Sequence, residues 1–453
     1  MNYKQSVDWL LEIPNLDQPV KGVCNRDVMT PERMRRFLER TGGSTDTGAS
    51  TIHITGTKGK GSTTTMLASV LNQLDGPSAL FISPHLKKFT ERIALCGYGI
   101  SEEVFAREAS RLKEAVEKAG SFGEGEFSQF YVLISMFLNL VKEAQPQIRW
   151  QVLEVGLGGR FDPTNIFDKK ELAVFVPVHK DHCAFLGDTV EEIAREKAEI
   201  IKDGCHVIIA EQPYREAFAV ISEKARDMGC EFTYVPDHYK VESMTVEGDR
   251  QSFSLAGPWG VELYRTRMLG HHQLINCATV LASIDLISRT NKKIKWDHSK
   301  INIGLEQASL PGRMEVLGKR PIVIADGAHT KESTEIAVRF VKDHYVFKRL
   351  ILVLAISNDK DSAAIIDAAA KDADLVIATA IDKTRAIPAD HLANLVKKRI
   401  YCEVETISSV AAAITRAQEL ALEEDLILIT GSLYLAAEAC SLFQKNKSKE
   451  LAP

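Results

Sequence analysis

Thr51-Ile-His-Ile-Thr-Gly-Thr-Lys-Gly-Lys-Gly-Ser-Thr63 is the stretch on which the reading of this chain turns. A short β-branched run leads into a glycine-rich turn carrying two lysines, and Ser62-Thr-Thr-Thr-Met-Leu67 then opens a helix. Strand, glycine turn and helix in that order are the context of a phosphate-binding loop. Gly56, Gly59 and Gly61 let backbone N–H groups close on phosphate oxygens where a side chain would block them. The helix that follows aims its free N–H groups and its dipole at the same point. Thr57, Lys58 and Thr63 complete the loop, Lys60 is placed to reach the terminal phosphates, and the Ser62 hydroxyl suits Mg²⁺. The spacing differs from the common nucleotide loop, because two residues separate Gly56 from Gly59 and Gly61 stands between Lys60 and Ser62. A ligand-free glycine turn is the alternative; the flanking strand and helix favour a nucleotide.

Outward from this loop, apolar strands alternate with helices. Residues 52–55, 79–82, 151–155, 173–178 and 206–210 read as strands. Phe105, Ala109, Leu112 and Val116 form a helical stripe, and 188–202 reads as another helix. Such alternation predicts a mostly parallel, doubly wound sheet. From about Arg320 a second series begins, with strand-like segments at 321–325, 350–356, 375–379, 402–406 and 426–429 separated by alanine-rich helices. The expected architecture is α/β throughout: an N-terminal phosphate-loop domain over 1–311 and a smaller Rossmann-like domain over 312–453. The division falls at Leu310-Pro-Gly-Arg313, where Pro and Gly break the preceding pattern.

A chain of 453 residues exceeds one ordinary core. Its net charge of -5 gives no support for nucleic acid or an anionic membrane as partner. The apolar stretch 127–141 is interrupted by Ser128, Gln129, Ser135 and Asn139 and is too short for a membrane span, so a buried helix is expected. The 8 cysteines include no C-x-x-C pair, which suggests neither a zinc site nor a disulfide framework. A cytoplasmic monomer is the expectation.

Several polar motifs stand where predicted strands end, which is where open α/β sheets bind ligands. Glu154 precedes Gly156-Leu-Gly-Gly-Arg-Phe-Asp-Pro-Thr-Asn165, and a carboxylate beside a glycine loop suits a Mg²⁺ ligand or, alternatively, a solvated edge. Asp181-His182 follows the strand at 173–178. Asp188 and Glu191 form a plausible cap pair for the next helix, in which Ile193, Lys197 and Ile201 share a face. A lysine in an apolar stripe must snorkel, pair with an acid or be chemically altered.

Taken in order, these motifs resemble the folylpolyglutamate synthase and dihydrofolate synthase family of the Mur ligase superfamily. The series comprises Gly56-Thr-Lys-Gly-Lys-Gly-Ser62, Ser83-Pro-His-Leu86 with Glu91-Arg-Ile93, the glycine segment ending at Asn165, and Asp181-His182. Glu196-Lys197, His272-Gln273-x-x-Asn276, Pro311-Gly-Arg313, Asp326-Gly-Ala-His329, Asp359-Lys-Asp361 and Gly431-Ser-Leu-Tyr434 continue it. The resemblance implies an ATP-dependent amide ligase that joins L-glutamate to a folate or related carboxylic acid through an acyl phosphate. It implies that Ser62, Ser83 and Glu154 serve one Mg²⁺, that His182 and a carbamylated Lys197 serve a second, and that Asn276 meets the adenine. It also implies roles for Arg313, Asp326 and His329 in catalysis, with Arg313 and Asp326 at the nucleotide.

Some positions depart from the family pattern. Glu199 follows Ala198 where a glycine is usual, Gly22-Val-Cys-Asn-Arg-Asp27 replaces a Gly-Leu-x-Arg pattern, and Phe127-Ser-Gln-Phe-Tyr-Val132 lacks an aromatic-acid pair. Lys58 resembles eukaryotic polyglutamylating enzymes, whereas Arg385-Ala386 resembles bacterial ones. Folylpolyglutamate synthase is the leading reading. The alternatives are a dihydrofolate synthase, a Mur-type ligase acting on a non-folate acid and, more remotely, a nucleotide-binding switch or small-molecule kinase.

Overall fold

The computed structural model describes residues 1–14, 30–123, 127–291, 293–381 and 386–450, the last six of these as backbone only. The Gly22-Val-Cys-Asn-Arg-Asp27 segment and Arg385 lie outside the described residues. The chain divides into two compact units, one of Met1–Ser243, Phe253–Tyr264 and His272–Ala308, the other of Met244–Ser252, Arg265–His271 and Ser309–Pro453. The last passage, after Ala308, lies close to the expected division. The two earlier segments of the second unit have no counterpart in that expectation.

In the first unit, β1 (Ser50–Thr55), β2 (Ser78–Phe81), β3 (Ile93–Leu95), β4 (Tyr98–Gly99), β5 (Trp150–Glu154), β6 (Leu172–Phe175), β7 (His206–Ile209) and β8 (Phe232–Tyr234) form one sheet. Its order is β4-β3-β2-β5-β1-β6-β7-β8, and β3 and β4 add an antiparallel edge to a parallel body. Helices cover both faces, so the central strands are buried along almost their whole length, polar residues such as His53 and Gln151 included. Along one face, Ala79, Phe81 and Leu153 pack with Phe130, Phe137 and Tyr131 toward one end of the sheet, and Ala173, Phe175, Val207 and Ile209 pack with Val190, Ile193 and Ile221 toward the other. The apolar stretch around 127–141 is the core helix Gln129–Glu143, started by Ser128 accepting from Tyr131 N at 3.2 Å. Among the described residues no helix is long and apolar enough to cross a membrane.

The helix expected over 188–202 is shorter, Val190–Ala198. Its capping box is Thr189 with Glu192, not Asp188 with Glu191. Both pairs have the required spacing, and the backbone decides: Thr189 is extended and its hydroxyl accepts from Glu192 N at 3.2 Å. At the other end, Ile200 N and Ile201 N donate three residues back, to Lys197 O and Ala198 O, which tightens and stops the helix. Ile201 therefore lies past the helix end and shares no helical face with Ile193 and Lys197.

β9 (Lys240–Glu247), β10 (Arg250–Gly257) and β11 (Gly260–Thr266) form a sheet in the order β11-β10-β9, with residues counted in both units. The sequence reading placed no strands here. Gln251, Phe253 and Leu255 are buried and alternate with half-buried residues, so the segment lacks the continuous apolar runs that betray the parallel strands.

In the second unit, β12 (Glu315–Lys319), β13 (Ile322–Ala325), β14 (Leu350–Leu354), β15 (Leu375–Ala378), β16 (Glu403–Thr406) and β17 (Leu426–Thr430) form a sheet in the order β12-β13-β17-β14-β15-β16. Apart from β12, which is antiparallel to β13, its strands are parallel. Along β14, Leu350, Leu352 and Leu354 enter one core while Ile351 and Val353 enter the other, as the period of two requires. This is the smaller Rossmann-like α/β domain.

Candidate active site

β1 delivers Gly56 to the carboxyl end of the parallel sheet. From β1 the chain moves to β2 on one side, returns through β5, and then places β6 on the other side of β1. Ligand crevices form at such reversals. Gly56 has φ +142°, and a Cβ there would stand 2.3 Å from Val176 Cγ2. Thr57 N donates to Pro177 O at 2.9 Å, and the Thr57 hydroxyl bonds His179 through both its O and N. The loop after β1 is thus fastened to the segment after β6.

Gly59 caps the helix Lys60–Leu74 in a left-handed conformation and offers no side chain to its first-turn N–H groups. Those donors are then available to an anion. Lys58 is exposed at the rim of the loop, and Lys60 and Gly61 are half-buried beside it. Thr63 is turned inward: its N–H donates to Gly59 O at 2.9 Å and its hydroxyl is buried without a hydrogen-bond partner.

The helix His271–Thr290 braces the loop. Asn276 Nδ2 donates to Gln273 Oε1 at 2.9 Å, and Gln273 Nε2 donates to Ser62 Oγ at 3.2 Å. A Cβ on Gly59 would stand 2.4 Å from Asn276 Oδ1. The residue expected at the adenine therefore packs against the phosphate loop.

Glu154 ends β5 and is buried, and its Oε2 accepts from Ser83 N at 3.0 Å. A hydroxyl and a carboxylate from neighbouring strand ends are the hard oxygen donors that Mg²⁺ prefers, so this pair fits the ion. Lys197 does not snorkel. It is 4% exposed, and its Nζ donates to Gly56 O at 2.8 Å. Burial, reinforced by Lys60, pulls its pKa down to about 7, against the opposing charges of Asp181 and Asp162. His182 is exposed and left-handed, with φ 50°, at the start of the short helix Cys183–Leu186. Burial pushes the adjacent Asp181 carboxyl up, but His182, Lys58 and Lys60 outweigh that and hold it below its ordinary value. Among the described residues no group of three His, Cys, Asp or Glu is arranged to hold a metal. The expected donors are of another kind, drawn from hydroxyls, one carboxylate, an imidazole and a modified lysine.

In the second unit, the buried Asp326 accepts from Met314 N and Ala328 N, each at 2.9 Å. Burial raises its pKa, opposed first by Arg313. His329 Nδ1 lies 2.8 Å from Gly327 O. Asp326 thus gathers the Arg313-Met314 and Gly327–His329 turns into one cluster. The sequence reading missed His53 and Lys170, whose side chains meet 2.9 Å apart across 117 residues. His53 sits inside an ordinary strand pattern, and nothing local marks either residue.

Residues 54–284 match the Mur ligase middle domain family, and 312–433 match the family described as Mur ligase, glutamate ligase domain. The chain is 29% identical over 416 residues to the dihydrofolate synthase/folylpolyglutamate synthase of Bacillus subtilis, covering 90% of this chain and 93% of that protein. Folylpolyglutamate synthase of Mycobacterium tuberculosis, solved in complex with ADP, has a TM-score of 0.84 at 26% identity over 97% of this chain and 98% of that one. Escherichia coli FolC, solved in complex with DHPP and ADP, has a TM-score of 0.79 at 25% identity over 99% of each chain.

Proposed function

The chain belongs to the Mur ligase superfamily, within its folylpolyglutamate synthase and dihydrofolate synthase family, and from that premise we propose how its residues carry out ATP-dependent ligation of L-glutamate to a folate. The acceptor carboxylate attacks the γ-phosphate of ATP, giving an acyl phosphate and ADP. The amine of L-glutamate then displaces phosphate to form the amide. Phosphoryl transfer needs charge neutralisation and alignment more than covalent help. Lys60 and the open N-terminus of the helix Lys60–Leu74 supply part of that at the phosphates. Ser62, Ser83 and Glu154 are the residues that would hold Mg²⁺, which when bound offsets the charge on the transferring group.

The observation that carries the proposal is Lys197, buried directly beneath the first glycine of the phosphate loop. With a pKa near 7, much of its amine is neutral at physiological pH and free to add CO₂. The nitrogen lone pair forms the C–N bond, one proton leaves, and the product is an anionic carbamate. Carbamylated Lys197 and His182 would serve a second cation. In the second unit, Arg313 offers a planar fork suited to phosphate, Asp326 fixes the turn beside it by accepting from Met314 N, and His329 belongs to the same cluster. A nucleotide domain of 1–311, a glutamate-ligase domain of 312–453, a monomeric state and a cytoplasmic location complete the proposal.

Folylpolyglutamate synthesis is the leading activity. Dihydropteroate is the second acceptor, favoured by the double name of the Bacillus subtilis relative. The test is ADP release in the presence of L-glutamate and a panel of pterin and non-pterin acids. Release that requires a reduced folate supports the leading activity, and release that requires dihydropteroate supports the second. Release independent of any acceptor refutes ligation.

A further inference from the structure

Beneath the loop of residues 156–165 lies a buried polar chain to which the reaction above gives no part. Lys170 Nζ donates to His53 Nδ1 at 2.9 Å, His53 Nε2 stands 2.8 Å from Thr164 Oγ1, and Thr164 Oγ1 donates to Asp162 Oδ1. Asp162 closes the chain on the loop backbone, accepting from Thr164 N at 2.9 Å and from Leu157 N at 2.8 Å. All four side chains are buried.

The donor inventory fixes the direction of every link. The Asp162 carboxylate only accepts, so Thr164 Oγ1 donates to it and must itself receive the His53 Nε2 proton, which leaves His53 Nδ1 to accept from the Lys170 amine. Burial, joined by the charges of Lys170 and Lys202, keeps His53 neutral, and its one ring proton then sits on Nε2. Thr164 Oγ1 receives that proton and passes its own to the Asp162 carboxylate. The result is a buried amine and a carboxylate joined through two neutral groups.

The loop that this chain anchors also caps the helix Val190–Ala198. Arg160 N donates to Glu196 O at 2.8 Å, and Asn165 Nδ2 donates to Glu199 O at 3.1 Å. A Cβ on Gly159 would stand 2.8 Å from both Glu196 O and Lys197 O. On its other side the loop receives the Thr55 hydroxyl on Gly158 O at 2.8 Å. What holds the loop therefore holds the helix end from which Lys197 reaches Gly56.

We propose that Lys170, His53, Thr164 and Asp162 act as one positioning relay that fixes the 156–165 loop against this helix end and so sets Lys197 beneath the phosphate loop. The inference rests on the role assigned to Lys197 in the proposed reaction. Amide exchange in the 156–165 segment of the ligand-free protein, followed by mass spectrometry, reads the relay without catalysis. Thr164→Val and Lys170→Met are each expected to speed that exchange at least tenfold while leaving the helix Lys331–His344 unchanged. Thr164→Ser keeps the hydroxyl and is expected to restore protection. In the ADP-release assay, Thr164→Val is expected to lose at least tenfold in kcat, with KM for ATP within twofold of wild type. The double variant should be no worse than the more damaging single one, since a broken chain is not broken twice. Wild-type protection of the loop in a folded Thr164→Val variant, or additive losses in the double variant, overturns the relay. Should Lys170→Met fail to fold, the Thr164 pair decides alone. A wild-type enzyme that releases no ADP with any acid defeats the ligase reading, while the exchange measurement still decides the relay.

Discussion

Replacing Gly59 with alanine isolates the packing on which the phosphate loop depends. Gly59 has φ +95°, and an added Cβ would stand 2.4 Å from Asn276 Oδ1 and 3.1 Å from both Asn276 Cγ and Nδ2. The left-handed backbone alone costs an L-residue about 1–2 kcal/mol. Asn276 must also move, which breaks its bond to Gln273 and leaves buried amide groups unpaired, at about 1–3 kcal/mol. The sum is about 2–5 kcal/mol. Gly204 supplies the control, with φ +71° and nothing within 4 Å of an added Cβ, so Gly204→Ala carries the backbone cost alone. Urea unfolding of both variants should therefore show Gly59→Ala less stable than Gly204→Ala by about 1–3 kcal/mol. Because Gln273 also donates to Ser62, the same change should weaken ADP binding at least tenfold in a calorimetric titration, with Gly204→Ala unaffected. Equal stabilities together with wild-type ADP affinity would refute the account of Asn276 as the brace of this loop.

Lys60→Ala and Ser62→Ala should abolish ADP release; Lys60→Ala should leave the unfolding transition near wild type, whereas Ser62→Ala also strips the buried Gln273 amide of its acceptor at about 1–3 kcal/mol, and near-normal turnover in either folded variant rules the loop out as the nucleotide site. Arg313→Lys should lower kcat without loss of stability, because a point charge does not reproduce a planar fork, and a fully active variant removes that role. Burial and Lys202 pull the Lys170 pKa from 10.5 down to about 7, against Cys205 and Asp168, with His53 the neutral partner. Between those values the unfolded chain binds the extra proton, so stability should rise with pH across this window, by up to about 1.4 kcal/mol per pH unit for this group. Lys170→Met should flatten that part of the slope in urea titrations from about pH 7 to pH 9, and an unchanged slope counts against the buried amine.

The parallel strands were legible because burial on both faces forces unbroken apolar runs, as in Leu350 to Leu354, and the phosphate loop because Gly56 and Gly59 sit where a Cβ would strike Val176 and Asn276. The sheet of 240–266 was not, since strands that mix buried and exposed residues resemble polar linkers. The cap of the Lys197 helix was misplaced by one residue because Asp188-x-x-Glu191 and Thr189-x-x-Glu192 satisfy one spacing rule equally, and only backbone geometry separates them. Lys197 stood out as a lysine among apolar neighbours, but the carbonyl that receives it lies 141 residues away. His53 and Lys170 carried no local signal at all, because pairing between distant buried groups leaves no period in the sequence.

The way the backbone is apportioned has a practical corollary for anyone wishing to cut this protein. It enters the second unit after Ser243, leaves after Ser252, re-enters after Tyr264, leaves after His271, and returns for good after Ala308. Leu269, from one of these short excursions, is fully buried in the same core as Ile324 and Leu352, and Val246, from the other, packs against it. No single scissile bond releases that half intact. A fragment starting at residue 312 would lack two of its own core segments, and a protease nicking the chain near Ser309 would leave a species that runs as the uncut protein until it is denatured. Gene fusions and truncations should respect 244–271 as much as the more obvious junction.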